Sequence, residues 1–138
     1  MSDGRAELKA LVRREIEQNV ATLYGISDWM YQNPELGLQE HQAANKLVEV
    51  LQEYGANVTH GIAGMPTAFV ADLPASRPGA KIGIIAEYDA LPEVGHGCGH
   101  NIIATAALGA AMGLARISSQ LPGQVVVLGT PAEESAVP

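Results

Sequence analysis

The sequence predicts an α/β fold: a three-layer α/β/α sandwich around a mixed, largely parallel sheet. Three observations carry that expectation. Amphipathic segments open the chain, two uninterrupted apolar runs follow them, and an alanine-rich segment that is apolar on every side lies between those runs. Strand, apolar helix, strand is the pattern of a parallel crossover, which needs helices lying on the sheet.

Each element has its own reason. Residues 7–32 read as one amphipathic helix, because Leu8, Leu11, Val12, Ile16, Val20, Leu23, Ile26 and Met30 recur at steps of three and four. Pro34 closes it, since proline pushes its predecessor out of the helical region. Residues 39–54 read as a second helix, with Ala43, Ala44, Leu47, Val48 and Leu51 inward and Gly55 as the stop. Residues 57–60 and 67–73 read as short strands. The apolar runs 81–88 and 124–129 read as strands covered on both faces. Residues 102–117 read as a buried helix. The segments 64–67 and 75–79 read as plain connections.

Composition narrows the function. At 138 residues the chain is one domain at most, and with 47% hydrophobic but only 4% aromatic residues its core must be built from small aliphatic side chains. Eight basic against 15 acidic residues give a net charge of −7, which leaves no footprint for nucleic acid or an anionic membrane surface. There is no uncharged apolar run long enough to span a bilayer, and the polar start is unlike a secretory signal. The single cysteine, Cys98, excludes an internal disulfide and fits a reducing cytoplasm.

The acids are unevenly placed. Residues 82–138 hold one base, Arg116, against Glu87, Asp89, Glu93, Glu133 and Glu134, with His96, Cys98 and His100 in the same stretch. Open α/β sheets gather their working residues outside the carboxyl ends of the strands. If the runs 81–88 and 124–129 are parallel, Glu87 and Asp89 meet Glu133 and Glu134 at one rim. The run Gly95-His96-Gly97-Cys98-Gly99-His100-Asn101 enters that rim, and alternation with glycine predicts His96, Cys98 and His100 on one side of an extended segment. Thiolate, imidazole and carboxylate together suit a borderline-soft cation such as zinc better than calcium or magnesium. A cation would also supply the missing counter-charge. Asn101 is predicted to open the buried helix with its first amides facing the site.

Blander readings compete. A buried cysteine is often an inert small hydrophobe, and paired glutamates suit a helix N-terminus. It is the conjunction that favours metal. A closed structural zinc site is disfavoured by the lone cysteine. A Cys98–His100–Asn101 triad is disfavoured because its members are too close in sequence. His41 and His60 read as surface residues.

The segments Asn33-Pro34-Glu35-Leu36-Gly37, Glu87-Tyr88-Asp89-Ala90-Leu91-Pro92, Gly95 to Asn101, and Gly129-Thr130-Pro131-Ala132-Glu133-Glu134 follow one another as in the M20 metallopeptidases. The chain resembles most their amidohydrolase branch, which includes aminobenzoyl-glutamate hydrolases. The resemblance implies a two-metal hydrolase, using zinc or manganese or else cobalt, that cleaves an amide or dipeptide-type bond next to a free carboxylate. It implies Cys98, His100 and Glu134 as metal ligands, and Glu133 as the general base that activates a metal-bound water. Asp89 would orient a ligand from behind. Glu87 stands where other branches carry a metal-binding histidine, and His96 and Asn101 complete the candidates. The chain departs from the branch at Gly97, where a larger residue is usual, and at Asn101, where aspartate is common.

Family members are several times longer, with further histidine ligands and an inserted dimerisation or lid domain. Residues 1–138 are therefore expected to be the N-terminal portion of a catalytic domain, inactive alone, with the strand from Gln124 or a neighbour left uncovered, and self-associating through exposed sheet or helix surface. The parent is expected to be a cytoplasmic homo-oligomer acting on a small amide or dipeptide, with no nucleic-acid or membrane partner. Two other readings stand beside this one. The first is a non-catalytic truncated relative serving as a binding or assembly module. The second is a redox-sensing or zinc-storing protein built around Cys98, which would need an accessible low-pKa thiol.

Overall fold

The periodicity of residues 7–32 folds into two helices, where one was predicted. In the computed structural model, which describes residues 4–135, α1 spans Gly4–Gln18 and α2 spans Val20–Gln32. Asn19 interrupts them. Its side-chain amide donates to the Glu15 carbonyl at 2.8 Å and to Glu15 Oε1 at 3.1 Å, so it competes with the helix for a backbone acceptor. The hydrophobic stripe runs through the break, and for that reason periodicity alone cannot reveal it.

The next helix, α3, spans His41–Glu53, and Gly55 follows in the left-handed conformation (φ 82°), as its role of stop requires. The start of α3 is capped from outside the helix. The Glu35 carboxylate accepts from the amides of Gln42 (3.1 Å) and Ala43 (2.8 Å), satisfying two of the donors that a helix start leaves open.

Four strands form one sheet: β1 (Asn57–His60), β2 (Phe69–Asp72), β3 (Lys81–Glu87) and β4 (Gln124–Thr130), in the order β1-β2-β4-β3. The helix α4, His100–Arg116, joins β3 to β4, and these two strands pair in parallel as expected. The α/β class and the mixed sheet therefore stand. The other two pairings, β1 with β2 and β2 with β4, are antiparallel, so the parallel share within the described residues is smaller than predicted.

Helices α3 and α4 touch each other and lie on the same face of the sheet. There Phe69, Ala71 and Val127 meet Leu47, Leu51, Leu108 and Met112. The expectation that both apolar strands are covered on two faces fails for β3. It is an edge strand, and Ile85, which pairs with Leu128 on the face away from the helices, is 55% exposed. Among the described residues no helix is long and apolar enough to cross a membrane.

Candidate metal centre

Strand register brings the acids together. In the parallel ladder Glu87 lies opposite Thr130, so β3 and β4 end level and release residues 88–89 and 131–134 at one rim. Helix α4 begins above the same rim, because Gly99 (φ 86°) turns the chain and His100 is the first helical residue. This glycine has a left-handed backbone that a larger residue adopts only with strain.

The run before Gly99 is not extended. His96–Cys98 forms a single tight 3-10 turn, in which residues two apart point in different directions. The predicted alternation therefore does not put three side chains on one side. His96 is buried, at 5% exposure, its Nδ1 has no hydrogen-bond partner, and it joins neither donor set of the site. Burial, reinforced by His100 and opposed by Asp89, lowers its pKa from the usual histidine value. Asn101 is also placed elsewhere. Its amide donates to Ser27 Oγ at 3.0 Å, tying α4 to α2. His41 and His60 are exposed, as expected.

His100 is the hub of the site. Its Nδ1 lies 3.0 Å from Asp89 Oδ1 and 2.9 Å from the Asp89 carbonyl, two acceptors that place the proton on Nδ1. The other ring nitrogen, Nε2, faces three carboxylates: Glu87 at 3.3 Å, Glu133 at 3.5 Å and Glu134 at 3.9 Å. Asp89, itself fully buried, also accepts the Glu134 backbone amide on Oδ2 at 3.0 Å. One carboxylate thus orients the imidazole and anchors the turn carrying the glutamate pair.

Two donor sets share this hub. Ligand atoms of Cys98, His100 and Glu134 all lie within 4.8 Å of one another, and so do those of Glu87, His100 and Glu133. The ion pairs of Lys81 and Arg116 lie elsewhere, with Asp72 and Glu15. Three carboxylates around one imidazole nitrogen, with a thiol beside them, fit a divalent cation of the zinc class. The site is an open rim: Glu133 is 51% exposed on its side chain and Glu134 35%.

Residues that carry no signal in the sequence hold this rim in place. Glu40 is fully buried. Its Oε1 accepts the Ala132 amide at 2.9 Å, and its Oε2 accepts from the Thr67 hydroxyl at 2.9 Å. The Tyr88 hydroxyl donates to the Thr67 carbonyl at 2.6 Å, and its ring stacks on Phe69. Burial, with the Glu40 and Asp89 carboxylates nearby, pushes the Tyr88 pKa far up and keeps it a donor. Thr67 is thus more than part of a plain turn. No periodicity marks these residues, because each acts on a segment distant in sequence.

A mixed α/β sheet whose strand ends gather thiol, imidazole and carboxylates is a framework that can carry a metal site. No protein-family model matches the chain. It is 38% identical to the Xaa-Arg dipeptidase of Mus musculus over 148 residues, covering 96% of this chain and 34% of that protein. It is 31% identical to one of the chains of the p-aminobenzoyl-glutamate hydrolase of Escherichia coli K12, over 93% of this chain and 30% of that one. Among solved structures, a dinuclear metal-binding peptidase of the M20 family from Bacillus subtilis superposes with a TM-score of 0.74 at 26% identity, covering 91% of this chain and 36% of its own. The chain's homologues are thus a dipeptidase, an aminobenzoyl-glutamate hydrolase and a peptidase of the M20 family, and it spans about a third of the length of the relatives it matches.

Proposed function

We propose that these residues are part of a metal-dependent hydrolase whose parent cleaves an amide or dipeptide-type bond next to a free carboxylate. The observation that carries this reading is the convergence of Cys98, His100 and Glu134 on one point, with the far side of His100 locked by Asp89. The names of the relatives, a dipeptidase and an aminobenzoyl-glutamate hydrolase, support the substrate class.

Cys98, His100 and Glu134 would hold one ion, and Glu87 lies beside the shared imidazole for a second. A bound divalent ion supplies Lewis acidity and lowers the pKa of water toward neutrality. The chain's own residues do the rest. Glu133 is half exposed, so its carboxylate is free to take a proton and pass it to a leaving amine. Asp89 keeps the proton on Nδ1 and the Nε2 lone pair directed at the rim. Zinc, manganese or cobalt all match this donor set, and a cytoplasmic homo-oligomeric parent completes the proposal. Three protein ligands are too few to hold two ions, so the 138-residue chain is expected to bind metal weakly and turn over nothing.

Thiol titration with and without zinc tests the site. Added zinc should shield Cys98 from a thiol reagent and raise the melting temperature, and His100→Ala should abolish both effects. Equal Cys98 reactivity in the two arms would overturn the metal reading. Metal-dependent amide hydrolysis by the chain alone would overturn its proposed inactivity.

A further inference from the structure

We propose that Glu40 is a positioning residue for the metal site: its buried carboxylate holds the turn that presents Glu133 and Glu134. The inference rests on the proposed metal function and assigns that site a support far away in sequence. Glu40 stands immediately before α3, 92 positions from the Ala132 amide that it accepts.

The turn needs such a support. Ala132 has a left-handed backbone (φ 58°), a conformation that costs a non-glycine residue energy unless its surroundings impose it. Its carbonyl accepts from the Ser135 amide at 3.2 Å, closing the turn around the two glutamates. Two bonds then fix that turn to the rest of the molecule. Ala132 N–H is held by Glu40 at its base, and Glu134 N–H is held by Asp89. The loop before Glu40 is pressed against both ends of the same turn. A Cβ placed on Gly37 would collide with Ser135 Oγ and lie 3.0 Å from the Ala132 Cβ.

Glu40 is locked in turn. With zero exposure and one donor on each oxygen, it has little rotational freedom. Removing the acceptor would leave the buried Ala132 amide unpaired and release a strained residue, so the Glu133–Glu134 turn should drift from His100.

Zinc binding by calorimetry, and amide hydrogen exchange at Ala132 and Glu134, should be measured on the chain and on Glu40→Leu, Glu40→Gln and Glu40→Asp. Glu40→Leu fills the volume without an acceptor. It should lower zinc affinity about tenfold, the lower end for loss of a ligand-supporting contact, and speed exchange at both amides. Glu40→Gln keeps an oxygen for Ala132 and should restore both properties. If Glu40→Leu does not fold, Glu40→Asp, one methylene too short to reach, carries the same expectation. Unchanged exchange would overturn the proposal. So would faster exchange with undiminished zinc affinity, since Glu40 would then serve the fold alone. If the unsubstituted chain binds no zinc, the metal reading falls separately, and protection of the Glu134 amide in Glu40→Leu still decides whether Glu40 holds the turn.

Discussion

At the scale of single residues, Asp89 does two jobs with one buried side chain. It directs the His100 imidazole through Oδ1 and fixes the Glu134 amide through Oδ2. Replacement by asparagine keeps the shape but offers only one oxygen acceptor for the two donors. Asp89→Asn is therefore expected to weaken zinc binding by about 10–100-fold, read by calorimetry, with little loss of helical circular dichroism. Tyr54 carries a second prediction. Its hydroxyl donates to Glu15 at 2.6 Å, joining the end of α3 to α1. Burial, followed by the bond to Glu15 and its charge, pushes the Tyr54 pKa up to about 12 from 10.0. In the unfolded chain Tyr54 ionises near 10, so between the two values the folded state binds more protons. The stability contributed by this group is thus complete below about pH 10 and is lost as pH rises toward about 12. Urea unfolding across that window should show the decline, and Tyr54→Phe should flatten it.

At the scale of elements, the packing of α1 and α2 on α4 depends on missing side chains. A Cβ on Gly113 would lie 2.7 Å from Val12 Cγ1 and 3.2 Å from the Val12 carbonyl, and one on Gly109 would lie 3.1 Å from Leu23 Cδ1. Gly113→Val should wedge α1 off α4 at a cost of about 1–3 kcal/mol, seen as a lower melting temperature. Gly25 in α2 is the contrast, because a Cβ there would meet nothing within 4 Å. Gly25→Ala should raise stability by about 0.5–1 kcal/mol through helix propensity. The alanine-rich segment was legible as a buried helix because its composition is apolar all round. Its first turn nevertheless leaves Ile102 64% exposed. Asn19 shows the opposite limit. Its break in the helix comes from a local side-chain bond, which leaves the hydrophobic period intact.

For the whole molecule, the decisive feature is the open edge at β3. Ile82 is 62% exposed and Ile85 55%, on a strand with one free side. An unpaired apolar edge is a template for association. The chain is expected to self-associate in sedimentation velocity experiments, and Ile85→Lys, which places charge on the edge, should shift it toward the monomer. A monomeric profile for the unsubstituted chain would contradict this.

Local pattern was enough to determine the α/β class, the three helical segments, the parallel β3-α4-β4 unit and the acids at its rim, because periodicity and strand ends are written into neighbouring residues. That Cys98, His100, Glu133 and Glu134 would gather at one rim was legible too, and the structure brings ligand atoms of Cys98, His100 and Glu134 within 4.8 Å of one another. Only the tertiary structure decided that His96 joins neither donor set and that Asn101 bonds to Ser27, since a 3-10 turn replaces the extended run and Ser27 captures the amide. It alone revealed Glu40, Thr67 and Tyr88. A buried hydrogen-bond network joins residues 21 to 92 positions apart, and neither composition nor spacing records which donor a folded chain brings to which acceptor.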